Sequence, residues 1–231
     1  LAEAIGERGL AGLDRLRADV RGLVDNDGIT YIPPAAAAAP DGYGVPAPGV
    51  WHVDAIPLLV TAADWEVLEA GLVQRSRLLD AVLTDLYGPR RAITDGVLPA
   101  QLLFAHPGYL RAARGITVPG RHQLFMHGCD VSRAADGAFR VNADWTQAPS
   151  GAGYALADRR VVAHTIPDVY ERIAPRATSP FAQALRLSLI DAAPETAEDP
   201  VVVVLSPGSH SETAFDQAYL ASLLGFPLVE S

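Results

Sequence analysis

Lysine is missing from this chain. All 18 basic residues among its 231 are arginines, so a Schiff-base amine or a phosphate-gripping lysine has no source here. A strong preference for arginine codons accounts for the bias, and for the abundant alanine, proline and glycine beside it, without altering that chemical consequence. Cysteine is almost as scarce. Cys129 stands alone, which excludes an internal disulfide and a cysteine-based zinc site, and reads most simply as a core residue. The apolar run from Val201 to Leu205 falls far short of the ~20 residues needed to cross a bilayer, and no basic-then-apolar leader opens the sequence. The expectation is therefore a cytoplasmic protein with no membrane partner. Positive charge is not in excess either: the formal charge is −9, which disfavours nucleic acid and anionic surfaces as partners. There is also no GxSxG elbow, no GxxxxGK[ST] loop and no HExxH helix. Gly151-Ala152-Gly153 followed by Leu156 fails a dinucleotide fingerprint at its third glycine.

What is present suits a globular protein of one large domain or two small ones, with 49% hydrophobic and 19% charged residues. The opening leucine and the closing FPLVES, which reads as a strand just starting, point to a piece of a longer polypeptide. Residues 1–24 space Ile5, Leu10, Leu13, Leu16, Val20 and Leu23 as one helical stripe. A short strand-like ITYI follows, and then PPAAAAAPDGYGVPAPG reads as loop or linker. Thr61 to Gly88 gives the clearest helix, with Thr61 and Asp64 at capping-box spacing and a stripe through Trp65, Leu68, Leu72, Leu79 and Leu86. Gln74, Arg75 and Arg77 lie on its less apolar flank, where a solvated or salt-bridged role is the simpler reading.

Residues 123–133 and 138–144 read as two strands of a hairpin around Asp136-Gly137. If those two residues form the loop, Ala135 opposes Ala138 and Asp130 opposes Ala143, with Trp145 on the same face. Asp144 then points to the other face beside Cys129. One extra loop residue would reverse this. His122 and His127 fall on opposite faces of an alternating strand, which makes a metal pair of them improbable. Toward the C-terminus come a helix within Ser179 to Leu189, an acidic loop, a buried-looking strand VVVVL, the turn SPGSHSET and a helix from about Glu212. In that turn Ser209 and Glu212 stand at capping-box spacing, and a capped crossover is a simpler account than an anion site. Strand, helix and incipient strand predict a βαβ unit in a parallel sheet, hence a mixed α/β fold.

The run DWTQAPSGAGYALADRR, from Asp144 to Arg160, concentrates polar chemistry directly after the hairpin. Gln147 and Ser150 offer neutral hydrogen-bonding groups, Gly151 and Gly153 permit close backbone approach, and Arg159 and Arg160 suit phosphate or carboxylate. The same residues also suit a tight loop opening a helix at Tyr154, with the arginines bridged to surface acids. Composition leaves the two readings level.

Five segments decide the matter in combination: WHVDAIPLLVTAADWEVLEAGLVQRSRLLDAVLTDLYG, DGVLPAQLLFAHPGYLRAARG, GCDVSRAADGAFRVNAD, TQAPSGAGYALADRRVV and VVVVLSPGSHSETAFDQAYLASLLGFPLVES. In this order they resemble the circularly permuted ATP-grasp proteins, type 2, related to the ligase half of glutathionylspermidine synthetase, over residues 28–231. The resemblance implies a partial ATP-grasp-like fold with an antiparallel hairpin sheet and a C-terminal βαβ unit. It implies ATP and magnesium as cofactors, a carboxylate activated as acyl phosphate, and an amine that attacks it. The family's metal ligands are commonly an E-x-N on the second hairpin strand and an aspartate on the first. Asp130 matches that aspartate, whereas Ala143 and Trp145 occupy the E-x-N positions and Asp144 stands between them. Either Asp144 rotates in through a shifted register, or this lineage has lost the usual metal geometry.

On this resemblance Asp130 and Asp144 are the metal candidates, and Gln147, Ser150, Gly151 and Arg159 face nucleotide or substrate. The expected organisation is an N-terminal helix and linker over 1–60, the helix and hairpin portion over 61–190, and the start of a βαβ subdomain over 199–231. The expected function is part of an ATP-dependent carboxylate–amine ligase, inactive alone, with a peptide-like or small amine or carboxylate substrate and the rest of the same polypeptide as partner. The rivals are a non-catalytic module that binds peptide, nucleotide or protein through the same groove, and a nucleotide sensor without turnover.

Overall fold

The computed structural model describes residues 1–33, 48–116, 118, 120, 122–194 and 199–231. The proline- and alanine-rich linker and the centre of the acidic loop lie outside the described residues. In chain order the elements are α1 (Ala2–Gly6), α2 (Gly9–Asn26), β1 (Thr30–Tyr31), β2 (Gly49–Val50), α3 (Ala62–Tyr87), α4 (Arg91–Thr94) and α5 (Ala100–Phe104). After a 3-10 turn at Arg111–Ala113 follow β3 (Gly128–Arg133), β4 (Phe139–Trp145), α6 (Ala152–Thr165), α7 (Pro167–Ile173), α8 (Ser179–Asp191), β5 (Val204–Ser206), α9 (Ala214–Leu224) and β6 (Leu228–Glu230). The fold is mixed α/β, as the sequence predicts. Its described residues group into two units, one of Leu1–Leu58, Ser150–Ile190 and Glu198–Ser231, the other of Leu59–Pro149 and Asp191–Ala197.

The first unit owns the main core. Leu16, Val20 and Val24, one helical turn apart on α2, pack with Tyr154, Ala157 and Val161 of α6 and with Ile166 and Val169 at the start of α7. Each such aliphatic side chain contributes about 1.5–3 kcal/mol on full burial. The predicted N-terminal stripe is right in period but not in extent. Gly9 at φ +61° breaks the helix after α1, and Leu10 is left 83% exposed. Trp51 stacks on Tyr154 at 4.1 Å between ring centroids and donates from its indole to Asp158 at 2.9 Å. The Tyr154 hydroxyl donates to the carbonyl of Thr30, tying α6 to the β1–β2 pair.

The N-terminus of α6 is closed by a carboxylate from far along the chain. Gly151, at φ +106°, provides no side-chain cap, and Asp216 of α9 supplies one instead. Its oxygens accept from the backbone amides of Gly151 (2.8 Å), Gly153 (2.6 Å) and Tyr154 (3.1 Å). Asp216 is only 2% exposed. A buried charge survives there because three donors and the positive end of a helix replace its water. The close approach leaves no room at Gly153: a Cβ would sit 2.7 Å from both the backbone oxygen and Oδ1 of Asp216.

The C-terminal βαβ unit forms as expected, with β5 and β6 parallel in the register Val204 to Leu228 through Ser206 to Glu230. Its details differ from the pattern. The strand begins at Val204, and Val201 and Leu205 are largely exposed, so this apolar run is not a buried one. Helix α9 starts at Ala214, without the Ser209–Glu212 capping box. A different set of bonds fixes the turn. Ser206 Oγ accepts from the amide of Gly208 and donates to Gln217 Oε1, while Gln217 Nε2 donates to Thr213 Oγ1.

In the second unit Thr61 caps α3 as predicted, its hydroxyl accepting from the amide of Asp64 at 3.1 Å. No residue of α3 is fully buried, so its stripe through Leu68, Leu72, Leu79 and Leu86 is only half covered. The neighbouring chain is held to α3 largely by polar bonds. Asp80 accepts from the amides of Gln123 and Leu124 and bonds His122, and Asp64 pairs with Arg133. Burial pushes Asp80 upward, but the bonds from Leu124, His122 and Gln123 together outweigh it and hold the carboxyl below its usual value.

The hairpin reaches the predicted register by an unpredicted route. Arg133 pairs with Phe139 and Ala134 with Ala138, so the loop has three residues, ending at Gly137 with φ +83°. That single extra residue puts Phe139 and Val141 on the same face as Val131. A bulge follows. The register shifts between Asp130 and Val131, leaving Asn142 unpaired, and beyond it Asp130 faces Ala143 and Cys129 faces Asp144, as the two-residue loop would have had it. The two irregularities cancel.

The Asp216 cap generates a direct test. Gly153→Ala is expected to lower stability by about 1–3 kcal/mol through overpacking, and Asp216→Ala by at least as much, since three amides lose their acceptor. Urea unfolding measures both, and a Gly153→Ala protein as stable as the parent would show that the approach is not tight.

Candidate functional site

The hairpin presents two chemically different faces. On one, Asp130 lies between Ala143 and Trp145, and the Trp145 indole donates to Asp130 Oδ2 at 3.1 Å. Ser132 donates to Asn142 Oδ1 on the same side. Both Asp130 and Trp145 are exposed.

The other face turns to α3. Arg75 grips Asp144 with two parallel bonds, Nε to Oδ1 at 2.6 Å and a terminal nitrogen to Oδ2 at 2.5 Å. This is the fork geometry in which guanidinium and carboxylate fit best. His127 Nε2 lies 3.0 Å from Asp144 Oδ1, and Cys129 Sγ lies 3.2 Å from that nitrogen and 3.4 Å from that oxygen. The Arg75 bonds hold the Asp144 carboxyl well below the usual range; burial opposes them, and His127 and Cys129 add to them. Burial first, then the hydrogen bond to Asp144 and its charge, push the Cys129 thiol up, so it is held as a neutral donor. Cys129 is thus a half-buried member of a polar cluster, not a core residue. Between α3 and the hairpin runs an open groove of about 810 Å³, lined by Leu68, Leu72, Arg75, Val131, Phe139 and Val141.

The polar run after the hairpin is divided between the units. Gln147 is exposed in the second unit, and Ser150 is exposed where the first resumes. Gly151, Arg159 and Arg160 are engaged by the protein itself. The Gly151 amide is taken by Asp216. Arg159 donates to the Tyr170 hydroxyl and to the carbonyl of Arg176, with its guanidinium 5.3 Å from the Tyr170 ring centre. Arg160 pairs with Asp27. Arg160 is bridged to an acid as the tight-loop reading has it, Arg159 bonds a hydroxyl and a carbonyl instead, and Gln147 and Ser150 are exposed.

Magnesium requires a near-octahedral set of oxygens. Asp130 and Asp144 leave opposite faces of the hairpin, so they do not share an ion, and Asp144 has not rotated to join Asp130. Beside Asp130 stand a methyl group and an indole N–H, neither of them a ligand. The residues present do not fit a magnesium centre at this hairpin. Among the described residues the one grouping of metal-ligand type is His127, Cys129 and Asp144, whose donor atoms lie within 4.8 Å of one another. Sequence reasoning placed Cys129 and Asp144 side by side but missed His127. The signal was there: His127 and Cys129 are two apart, so on an extended strand they share a face.

Residues 57–231 match the family model described as a circularly permuted ATPgrasp. The chain belongs to the circularly permuted ATP-grasp family. An uncharacterized protein of Mycobacterium tuberculosis, Rv2567, is 71% identical over 232 residues, covering 100% of this chain and 26% of its own length. An uncharacterized protein of Synechocystis, sll0335, is 35% identical over 181 residues, covering 78% of this chain and 38% of its own. A second M. tuberculosis protein, the uncharacterized Rv2411c, is 34% identical over 178 residues, 77% of this chain and 32% of its own. This ATP-grasp chain thus spans about a quarter to two fifths of the lengths of these relatives. No described helix is long and apolar enough to cross a membrane.

The Arg75–Asp144 pair predicts a pH dependence. The folded Asp144 carboxyl is depressed, so its contribution to stability is fully present above the unfolded value of about 4 and is lost as pH falls through the folded value. Arg75→Met should lower the thermal midpoint by a constant amount above pH ~5 and by progressively less below pH ~4. A difference between the two proteins that grows on acidification would contradict the assigned pairing.

Proposed function

We propose that the polypeptide carrying this ATP-grasp segment is an ATP-dependent ligase joining a carboxylate to an amine, and that residues 1–231 do not catalyse the reaction alone. In such chemistry a carboxylate oxygen attacks the γ-phosphorus of ATP, giving acyl phosphate and ADP, and an amine then displaces the phosphate from the acyl carbon. Family membership over 57–231 supports the reaction class. The observation that carries the second half is the Asp130 face, where a lone carboxylate stands beside Ala143 and Trp145. With no lysine in the chain and a single carboxylate on the Asp130 face of the described hairpin, neutralising a triphosphate falls largely to the rest of the polypeptide in this reading. The relatives' greater length leaves room for that machinery. Asp130 and Gln147 in the second unit and Ser150 in the first are exposed, whereas the Gly151 amide and the Arg159 side chain are engaged by the protein itself.

A second reading is favoured by the apolar groove along α3. A half-covered helix stripe facing Val131, Phe139 and Val141 suits an extended peptide, and a family member whose hairpin does not fit magnesium suits binding without turnover. ADP formation separates the readings. The full-length protein with ATP, magnesium and a panel of amino acids and short peptides is expected to release ADP in a panel-dependent manner, and residues 1–231 to release none. ADP release by residues 1–231 would overturn the division of labour. Magnesium-dependent ATP binding by the full-length protein, without ADP from any acceptor, would favour the binding module.

A further inference from the structure

We infer that His127, Cys129 and Asp144 form a binding site for one divalent transition-metal ion of the zinc class, on the hairpin face opposite Asp130 and independent of the ligase reading.

The hydrogen-bond accounting around His127 leads there. Its side chain is 5% exposed and its Nδ1 lies 2.7 Å from Ser76 Oγ. The Ser76 hydroxyl also lies 2.9 Å from the carbonyl of Leu72; when it donates there, its oxygen accepts from Nδ1 and Nε2 is left with a lone pair for an ion. A neutral imidazole so fixed turns the Nε2 lone pair toward a carboxylate oxygen 3.0 Å away. A hydrogen on Nε2 shared with the carboxylate, or a metal ion, fills the gap between the two.

The geometry and the donor types fit the metal. Nε2, Sγ and Oδ1 form a triangle with edges of 3.0, 3.2 and 3.4 Å. Ligand bonds of about 2.0–2.3 Å around a tetrahedral ion give edges of about 3.4–3.6 Å, so the triangle needs to open by only a few tenths of an ångström. Imidazole, thiolate and a single carboxylate oxygen select zinc or cobalt over magnesium. Ser76 is the outer partner that orients the ring, as metal-bound histidines require. Arg75 keeps its bond to Asp144 Oδ2 while the ion takes Oδ1, where the Arg75 Nε bond has to yield. On binding, the Cys129 thiol proton and any proton on Nε2 are released, so affinity rises with pH.

The same trio does not make a thiol nucleophile. The carboxylate and the sulfur share one ring nitrogen instead of flanking the ring, and burial together with Asp144 keeps the thiol protonated.

Cobalt titration of the untagged full-length protein tests this without reference to activity. One equivalent of Co²⁺ is expected to produce a thiolate-to-cobalt charge-transfer band in the near ultraviolet, which zinc bleaches by displacement. Cys129→Ser should abolish the band, and Ser76→Ala, which leaves all three ligands in place, should weaken binding about 10–100-fold. No band with the parent protein at excess cobalt would overturn the site and leave a histidine–carboxylate hydrogen bond in its place. A band that persists in Cys129→Ser would overturn it equally.

Discussion

Asp216 carries its charge into the interior of the first unit, where almost no water reaches it, because three backbone amides converge on it. Much else in that unit depends on this arrangement. The carboxylate fixes where α6 starts, and α6 bears Tyr154, Ala157 and Val161, the residues against which α2 packs. It also binds α9, and through α9 the parallel β5–β6 pair, to the start of α6. The polar run after the hairpin was the obvious place to look for a bound anion. Its helix terminus already holds one, supplied by the protein.

The second unit uses the same device at its surface. Asp80 gathers two amides and a histidine, Asp85 receives the amides of Arg91 and Ala92, and Asp144 gathers an arginine, a histidine and a thiol. In each case a carboxylate on or opposite α3 supplies specificity that its half-covered apolar stripe does not. A helix without a fully buried residue gains little from the hydrophobic effect alone, and bonds to ionised groups run stronger than neutral ones. Such bonds fix register. The groove left along α3 shows how much apolar surface this polar docking leaves open.

Periodicity made the helices, the hairpin and the βαβ unit legible, because side-chain spacing directly reports which face is buried. The resemblance in sequence made the family legible. Three kinds of feature stayed hidden. The Asp216 cap joins positions more than sixty residues apart, and no local pattern announces it. The exposure of Leu10 and Val201 depends on what the fold places next to them, which composition does not encode. Of the candidate site, the separation of Asp130 from Asp144 was readable from strand alternation, whereas the convergence of Arg75 and His127 on Asp144 was not, since it requires the position of α3.

The bulge at Asn142 has a consequence for comparison among relatives. Between the turn and the far end of the hairpin, strand parity changes once in the loop and once at the bulge, so residue count and facing agree only while both irregularities are retained. A relative that kept every residue but paired Asn142 regularly would keep its aligned columns yet present the residue corresponding to Asp144 on the face of Asp130, exchanging the inner and outer chemistry of the strand. Column identity in this segment is therefore a statement about ancestry, and orientation has to be established separately for each member.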